Sequence, residues 1–230
     1  MPGETVMKYP LIRPAGDSAV MVVFGDDISK KLNDRVRSFD RKLMDRHIEG
    51  ITETVPSYCA DLIYYEPWVI GFRDMKKIIT DIMDEKDDAL DAAGRVVEIP
   101  VVYGGKYGPD LEYVASHNGL SVEEVIRIHS SGEYPVYMLG FSPGFPYLGD
   151  MDERIACPRL EEPRIAIPAG SVGIAGSQTG VYPQQTPGGW RIIGRTPLKL
   201  YDPDREKPVI LEPGDRVVFR RIDEEEAAWD

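Results

Sequence analysis

Cysteine is scarce in this chain, and the two present, Cys59 and Cys157, have no metal-ligand spacing. A zinc ribbon or a disulfide-stapled small domain is therefore excluded. No apolar run is long enough to cross a bilayer, which argues against a membrane protein. The N-terminal stretch MPGETVMKYPLIRPAGDSAV lacks a basic segment followed by an apolar one, so no secretory signal is expected. Together with free thiols, this places the protein in the cytoplasm as an expectation. Basic residues are also in deficit: 27 Lys and Arg against 39 Asp and Glu give a formal charge of −12. Nucleic-acid binding needs clustered cations to neutralise phosphates, and that balance argues against it. What remains is an ordinary globular composition, 42% hydrophobic and 29% charged over 230 residues, sufficient for one large domain or two small ones.

The first half reads as a split β-α-β-β-α-β pattern. Residues 18–24 (SAVMVVF) form a buried-strand pattern. Ile28, Leu32, Val36, Phe39 and Leu43 then share one helix face, which Gly50 ends. Strands are expected over Ile51–Val55 and Leu62–Tyr65, a second helix over Arg73–Glu85, and a fourth strand over Arg95–Tyr103. The run DEKDD reads as a solvated helix end. This order predicts a ferredoxin-like α+β domain over residues 1–103, with two helices on one face of an antiparallel sheet. The loop YGGKYGPD has glycines but no Walker Lys-Ser/Thr pair, so it is a weak candidate for holding ATP. A helical connector follows over 104–132. Its second helix opens with a Ser121/Glu124 capping box, and Val122, Val125, Ile126 and His129 fall on one face. His129 there reads as a satisfied core residue or C-terminal cap more readily than as a catalyst; His47 reads as structural.

From residue 133 onward, short apolar strands alternate with turn signals, and no helical period is present. RIAIPAG, SVGIAG, TGVYP, RIIGRTP and RVVFRRI are examples. That texture predicts a closed β-barrel or a sandwich over 133–230, the barrel being the expected form, with a frayed tail, DEEEAAWD. Residues 140–197 hold ten of the 22 glycines and eight of the 19 prolines, a density suited to rigid loops around a preorganised pocket. Their five arginines (Arg154, Arg159, Arg164, Arg191, Arg195) balance five acids, so this stretch carries none of the chain's negative excess and suits a small anionic ligand. Arg159 and Arg164 can present guanidinium forks to a carboxylate or phosphate, while Gln178, Thr179 and Tyr182 offer neutral hydrogen bonds. Ser171 sits in AGSVG, which departs from a nucleophile elbow. Trp190 reads as a core plug or partner contact.

The motifs HSSGEYPVYMLGFSPGFPYLGD, CPRLEEPRIAIPAGSVGIAGSQTGVYPQQTPGGWRIIGRTP and PGDRVVF closely resemble the family of the 5-oxoprolinase B subunit, also known as allophanate hydrolase subunit 1 or sporulation kinase A inhibitor. The resemblance runs from about Asp17 to Arg220, with a mild departure at Cys59-Ala60-Asp61. It implies an N-terminal ferredoxin-like domain and a cyclophilin-like β-barrel. It further implies partnership with homologues of the family's C and A subunits. Such an assembly opens 5-oxoproline to glutamate at the expense of ATP, with Mg bound by the whole complex. The chain would then be part of a lactam hydrolase and inactive without its partners. Carried onto this sequence, the resemblance makes His129 a proton donor or acceptor and Arg159, Arg164, Gln178, Tyr182 and Arg195 substrate-binding residues. Two other functions share these motifs: a regulatory protein that binds a sensor histidine kinase, and a component of a biotin-dependent carboxyltransferase of the urea amidolyase type.

Overall fold

The computed structural model describes residues 9–85 and 94–229, so Lys86–Asp88 of the DEKDD run lie outside the described residues. The chain divides into two units, Met1–Ala92 and Ala93–Asp230. Among the described residues, no helix is long and apolar enough to cross a membrane.

In the first unit, strands β1 (Leu11–Pro14), β2 (Ala19–Val23), β3 (Ile51–Pro56) and β4 (Ala60–Tyr65) form one antiparallel sheet, ordered β1-β2-β4-β3. Helices α1 (Lys30–Asp45) and α2 (Phe72–Asp84) contribute Val36, Phe39, Leu43, Met75, Ile79 and Ile82 to a core shared with Val20, Val22, Ile63 and Tyr65. The three-and-four spacing read from the sequence therefore finds its buried face. It overreaches at both ends, because Ile28 precedes α1 and is exposed, and the helix stops at Asp45, before Gly50.

The expected fourth strand is not in this sheet. The edge beside β2 is taken by β1, a four-residue strand ending in proline that periodicity is too short to reveal. Residues Val96–Tyr103 (β5) instead run parallel to the last strand of the second unit. A period of two identifies a strand but not its partner, and here the longer parallel ladder is the one formed.

Alternation along β4 places Asp61 on the helix-covered face with Ile63 and Tyr65, and its carboxylate is fully buried. Neither oxygen has a hydrogen-bond partner of good geometry, and the backbone N–H groups of Val55 and Leu62 ease desolvation only in part. Burial, and then the nearby Asp40 carboxylate, push Asp61 up to about 7. An acid raised in the folded state binds its proton more tightly than the unfolded chain does. The stability this gives is fully present below about pH 4 and is lost as pH rises from there through about 7. Asp61→Asn should remove that loss, stabilising the protein at pH 8 by about 2–3 kcal/mol more than at pH 5. Denaturant melts at the two pH values measure it, and an equal effect at both would refute it.

The second unit is a closed barrel. Its strands are β5, β6 (Glu133–Leu139), β7 (Pro146–Leu148), β9 (Ser171–Ala175), β10 (Gln178–Val181), β12 (Arg191–Arg195) and β13 (Arg216–Arg221). The order is β10-β7-β6-β13-β5-β12-β9, closed by the β9–β10 pair. Full closure leaves no free edge to manage. Two more strands, β8 (Arg164–Ile167) and β11 (Thr186–Gly188), form a separate two-stranded ribbon. Helices α3 (Leu111–His117) and α4 (Val122–Ser130) bury Leu111, Val114, Val125, Ile126 and Ile128 in the same core as the barrel strands. The helices of the expected 104–132 connector thus pack into the barrel core. α4 opens with the expected capping box, since the Ser121 hydroxyl and the Glu124 backbone and carboxylate satisfy one another. The glycine loop before α3 is spent internally: Gly104 N–H donates to Ile193 O (3.0 Å) and Gly108 N–H to Gly104 O (2.8 Å).

The tail does not fray as expected. Trp229 stacks on Tyr107 at 4.7 Å, and the guanidinium of Arg195, on β12, lies 5.1 Å from the Trp229 ring.

Candidate functional site: an aromatic cleft under the β8–β11 ribbon

Outside the main barrel core lies a second, smaller buried cluster: Phe145, Ile167, Ala175, Tyr182, Trp190 and Ile192, with Tyr147 packed against it. Its rings meet edge to face. Phe145 is 5.2 Å from Tyr182, 5.5 Å from Trp190 and 5.0 Å from Tyr147, the T-shaped geometry that the aromatic quadrupole favours. These rings floor a cleft of about 230 Å³, walled by Pro163, Pro187, Gly188 and Gly189 and rimmed by Phe141 and Arg159.

The turn between β6 and β7 builds the rim. Gly140 N–H donates to Phe145 O (3.1 Å) and Phe145 N–H to Ser142 O (3.0 Å), which forces Phe141 to φ 66°. That region is unfavourable for a bulky residue, and it leaves the Phe141 ring 62% exposed at the lip. Opposite, the hydroxyl of Tyr182 receives the Trp190 backbone N–H, and burial, first among its causes, pushes the phenol up to about 12. Tyr182 therefore stays protonated and can donate at neutral pH. Arg159 is exposed, lies 6.0 Å from the Trp190 ring, and has no carboxylate partner among the described residues.

Of the residues expected from sequence, the cleft brings together Arg159 and Tyr182. Arg164 begins β8 next to the cleft wall, but its Nη2 donates to Asp110 Oδ1 at 2.8 Å. Gln178 lies on β10, outside the cleft lining. Arg195 is also elsewhere: its Nε donates to Ala169 O (2.7 Å) and its guanidinium faces Trp229.

His129, expected as a proton donor or acceptor, lies away from the cleft lining. It is 0% exposed within the barrel core and stacked on Phe219 at 4.5 Å. The Thr179 hydroxyl donates to Gly173 O (3.1 Å), so Thr179 Oγ1 (2.9 Å) accepts from His129 Nε2–H. Nδ1 is left to accept from the Tyr103 hydroxyl at 2.7 Å. Burial holds this neutral ring down to about 3. The apolar helix face read from the sequence is found, with His129 buried on it beside Val125 and Ile126.

Sequence reading gave no functional role to Phe141, Phe145 or Asp110. The available signal was the aromatic pair flanking the Pro-Gly turn in FSPGFPYLGD. Chemically, the cleft offers aromatic edges, one phenol donor and one unpaired guanidinium. That set suits a small ring bearing a carboxylate, and it contains no nucleophile with an adjacent base.

A family profile described as the carboxyltransferase domain, subdomain C and D, matches residues 10–211. The B subunit of 5-oxoprolinase from Bacillus subtilis is 46% identical over 225 residues, which is 94% of each chain. The corresponding protein of Escherichia coli O157:H7 is 42% identical over 89% of this chain and 92% of that protein. The chain belongs to the family of the 5-oxoprolinase B subunit. In three dimensions, it superposes on the crystal structure of TTHA0988 with a TM-score of 0.80 and 36% identity, covering 93% of this chain and 40% of that one. As a member of this family, the chain carries its glycine- and proline-rich block as the ribbon, turns and floor of the aromatic cleft.

Proposed function

We propose that this protein works as the B subunit of an ATP-dependent 5-oxoprolinase, assembled with homologues of the A and C subunits, and that its aromatic cleft takes the 5-oxoproline ring. The observation that carries this reading is the unpaired Arg159 at the lip of an otherwise aromatic cleft, in a chain of this family. A five-membered lactam presents a flat, weakly polar ring to the aromatic edges and a carboxylate to the guanidinium. Tyr182 donates to the lactam carbonyl, polarising the amide for attack.

The cleft holds no general base and no nucleophile, so ring opening is completed by groups from the partner chains. Among the described residues, no three His, Cys, Asp or Glu side chains converge to hold a metal. The glycine loop of residues 104–108 turns several of its N–H groups onto its own backbone and β12. That loop therefore presents no open phosphate cradle, and this reading assigns the Mg-ATP to the assembled complex. A cyclophilin-like barrel and a ferredoxin-like first unit remain part of this reading, the latter with β1 filling the edge of the missing last strand.

Mixing the protein with its A-type and C-type partners, ATP and 5-oxoproline should release glutamate. Arg159→Ala should raise KM for 5-oxoproline by about 10–100-fold, the worth of one charge-assisted contact of ~1.5–3 kcal/mol, with Arg159→Lys intermediate. Glutamate release with an unchanged KM in the alanine variant would remove Arg159 from the site. No turnover by an assembled wild-type complex would remove the function.

A further inference from the structure

We propose that Asp110 and Arg164 are positioning residues: a buried tie that holds the ribbon wall of the cleft to its aromatic floor. The inference rests on the cleft being the 5-oxoproline site. Asp110 stands at the N-cap of α3, where an aspartate ordinarily accepts from N–H groups of its own first turn. Here its side chain makes no capping bond. Instead Oδ2 accepts the Ile192 N–H at 2.7 Å and Oδ1 accepts Arg164 Nη2 at 2.8 Å, while the Asp110 N–H donates to Ile192 O at 2.9 Å. A carboxylate only 6% exposed thus gives up its local role for two long-range partners.

One partner sits behind the floor of the cleft and the other behind its ribbon wall. Ile192 is on β12 and packs with Trp190 in the aromatic cluster. Arg164 opens β8, directly across the ribbon from Gly188, and its chain neighbour Pro163 lines the cleft together with Gly188. Asp110 touches both.

The ribbon needs such a tie. It has two short strands, a register shift between Thr186 and Gly188, and an Ile165 side chain that is 91% exposed. A two-stranded ribbon is marginal in water without packing. Ile167 anchors one end of β8 in the aromatic cluster. The other end is held by Arg164, whose Nη1 is buried without a partner and whose one ion-pair partner among the described residues is Asp110. Arg164 therefore serves the substrate through Gly188 and Pro163 rather than by touching its carboxylate.

The test uses Asp110→Asn, which keeps the side-chain volume but removes the charge. Arg164→Ala and Arg164→Lys are its companions. Hydrogen exchange of the ribbon amides (164–167, Thr186 and Gly188) should speed up by about tenfold in the first two variants while the barrel strands stay protected. In the assembled complex, KM for 5-oxoproline should rise about tenfold with a smaller fall in kcat, as expected when a wall is misplaced rather than a reacting group lost. Arg164→Lys should recover part of both, and it serves as the milder break should either of the other two fail to fold. Unchanged ribbon exchange in folded Asp110→Asn overturns the tie. Faster exchange with an unchanged KM leaves the tie standing and removes 5-oxoproline from the cleft.

Discussion

Replacing His129 by alanine is expected to destabilise the protein by about 3–5 kcal/mol, one of the largest single-residue effects in the barrel. The ring is fully buried, stacks on Phe219 and lies 5.4 Å from Tyr134, so its removal opens a void that the surrounding strands cannot fill. It also strands the Tyr103 hydroxyl and removes the donor to Thr179 Oγ1, both bonded to the imidazole. A second signature follows from pH. The unfolded chain takes up a proton below about 6.5, whereas the folded ring resists it until about 3. Stability contributed by His129 is therefore present above about pH 6.5. It falls as pH drops toward 3, by up to ~1.4 kcal/mol per pH unit. Chemical denaturation at pH 7 and at pH 4.5 measures both effects, and the variant should lose this part of the acid slope. A cost below about 1 kcal/mol together with an unchanged slope would show that the ring is not held as described.

Gly188→Val should close the cleft and reduce kcat/KM for 5-oxoproline in the assembled complex by about 10²-fold while the protein stays folded. A Cβ at Gly188 would lie 2.5 Å from the Tyr182 hydroxyl and 2.8 Å from Ile167 Cδ1. Neither neighbour gives way cheaply. Tyr182 is pinned by the Trp190 N–H and by Phe145, and Ile167 is the buried anchor of the ribbon. The overpacking costs about 1–3 kcal/mol, which a barrel with a separate main core should tolerate. Steady-state glutamate release decides the matter, with the far-UV circular dichroism of the variant as the folding control. Wild-type turnover would mean that the cleft is not where the substrate sits.

The two predictions separate residues that the sequence groups together. His129 and the glycine-rich block both belong to the motifs that mark the family, yet one is core and the other shapes the cleft. Two of the anticipated arginines divide in the same way. Arg159 is open at the cleft lip, whereas Arg164 is engaged by an aspartate far away in sequence. Their shared Pro-Arg context says nothing of this, because what distinguishes them is the presence of Asp110 behind β8 and its absence behind residue 159.

By itself, the sequence determined the kinds of element and most of their extents. The α1, α2 and α4 faces, the capping box at Ser121, the strands around Val20 and Ile63, and the change to short strands after residue 133 all follow from local spacing. It also determined the family, through a block of turns specific enough to be recognised. Only the tertiary structure decided which strand pairs with which. It gave β5 to the barrel and the open edge of the first sheet to β1, and it placed His129 indoors and Trp229 against Tyr107. The physical reason is that periodicity and capping act over a few residues, whereas strand partnership, burial of an imidazole and the choice of an ion-pair partner depend on groups brought together from distant parts of the chain.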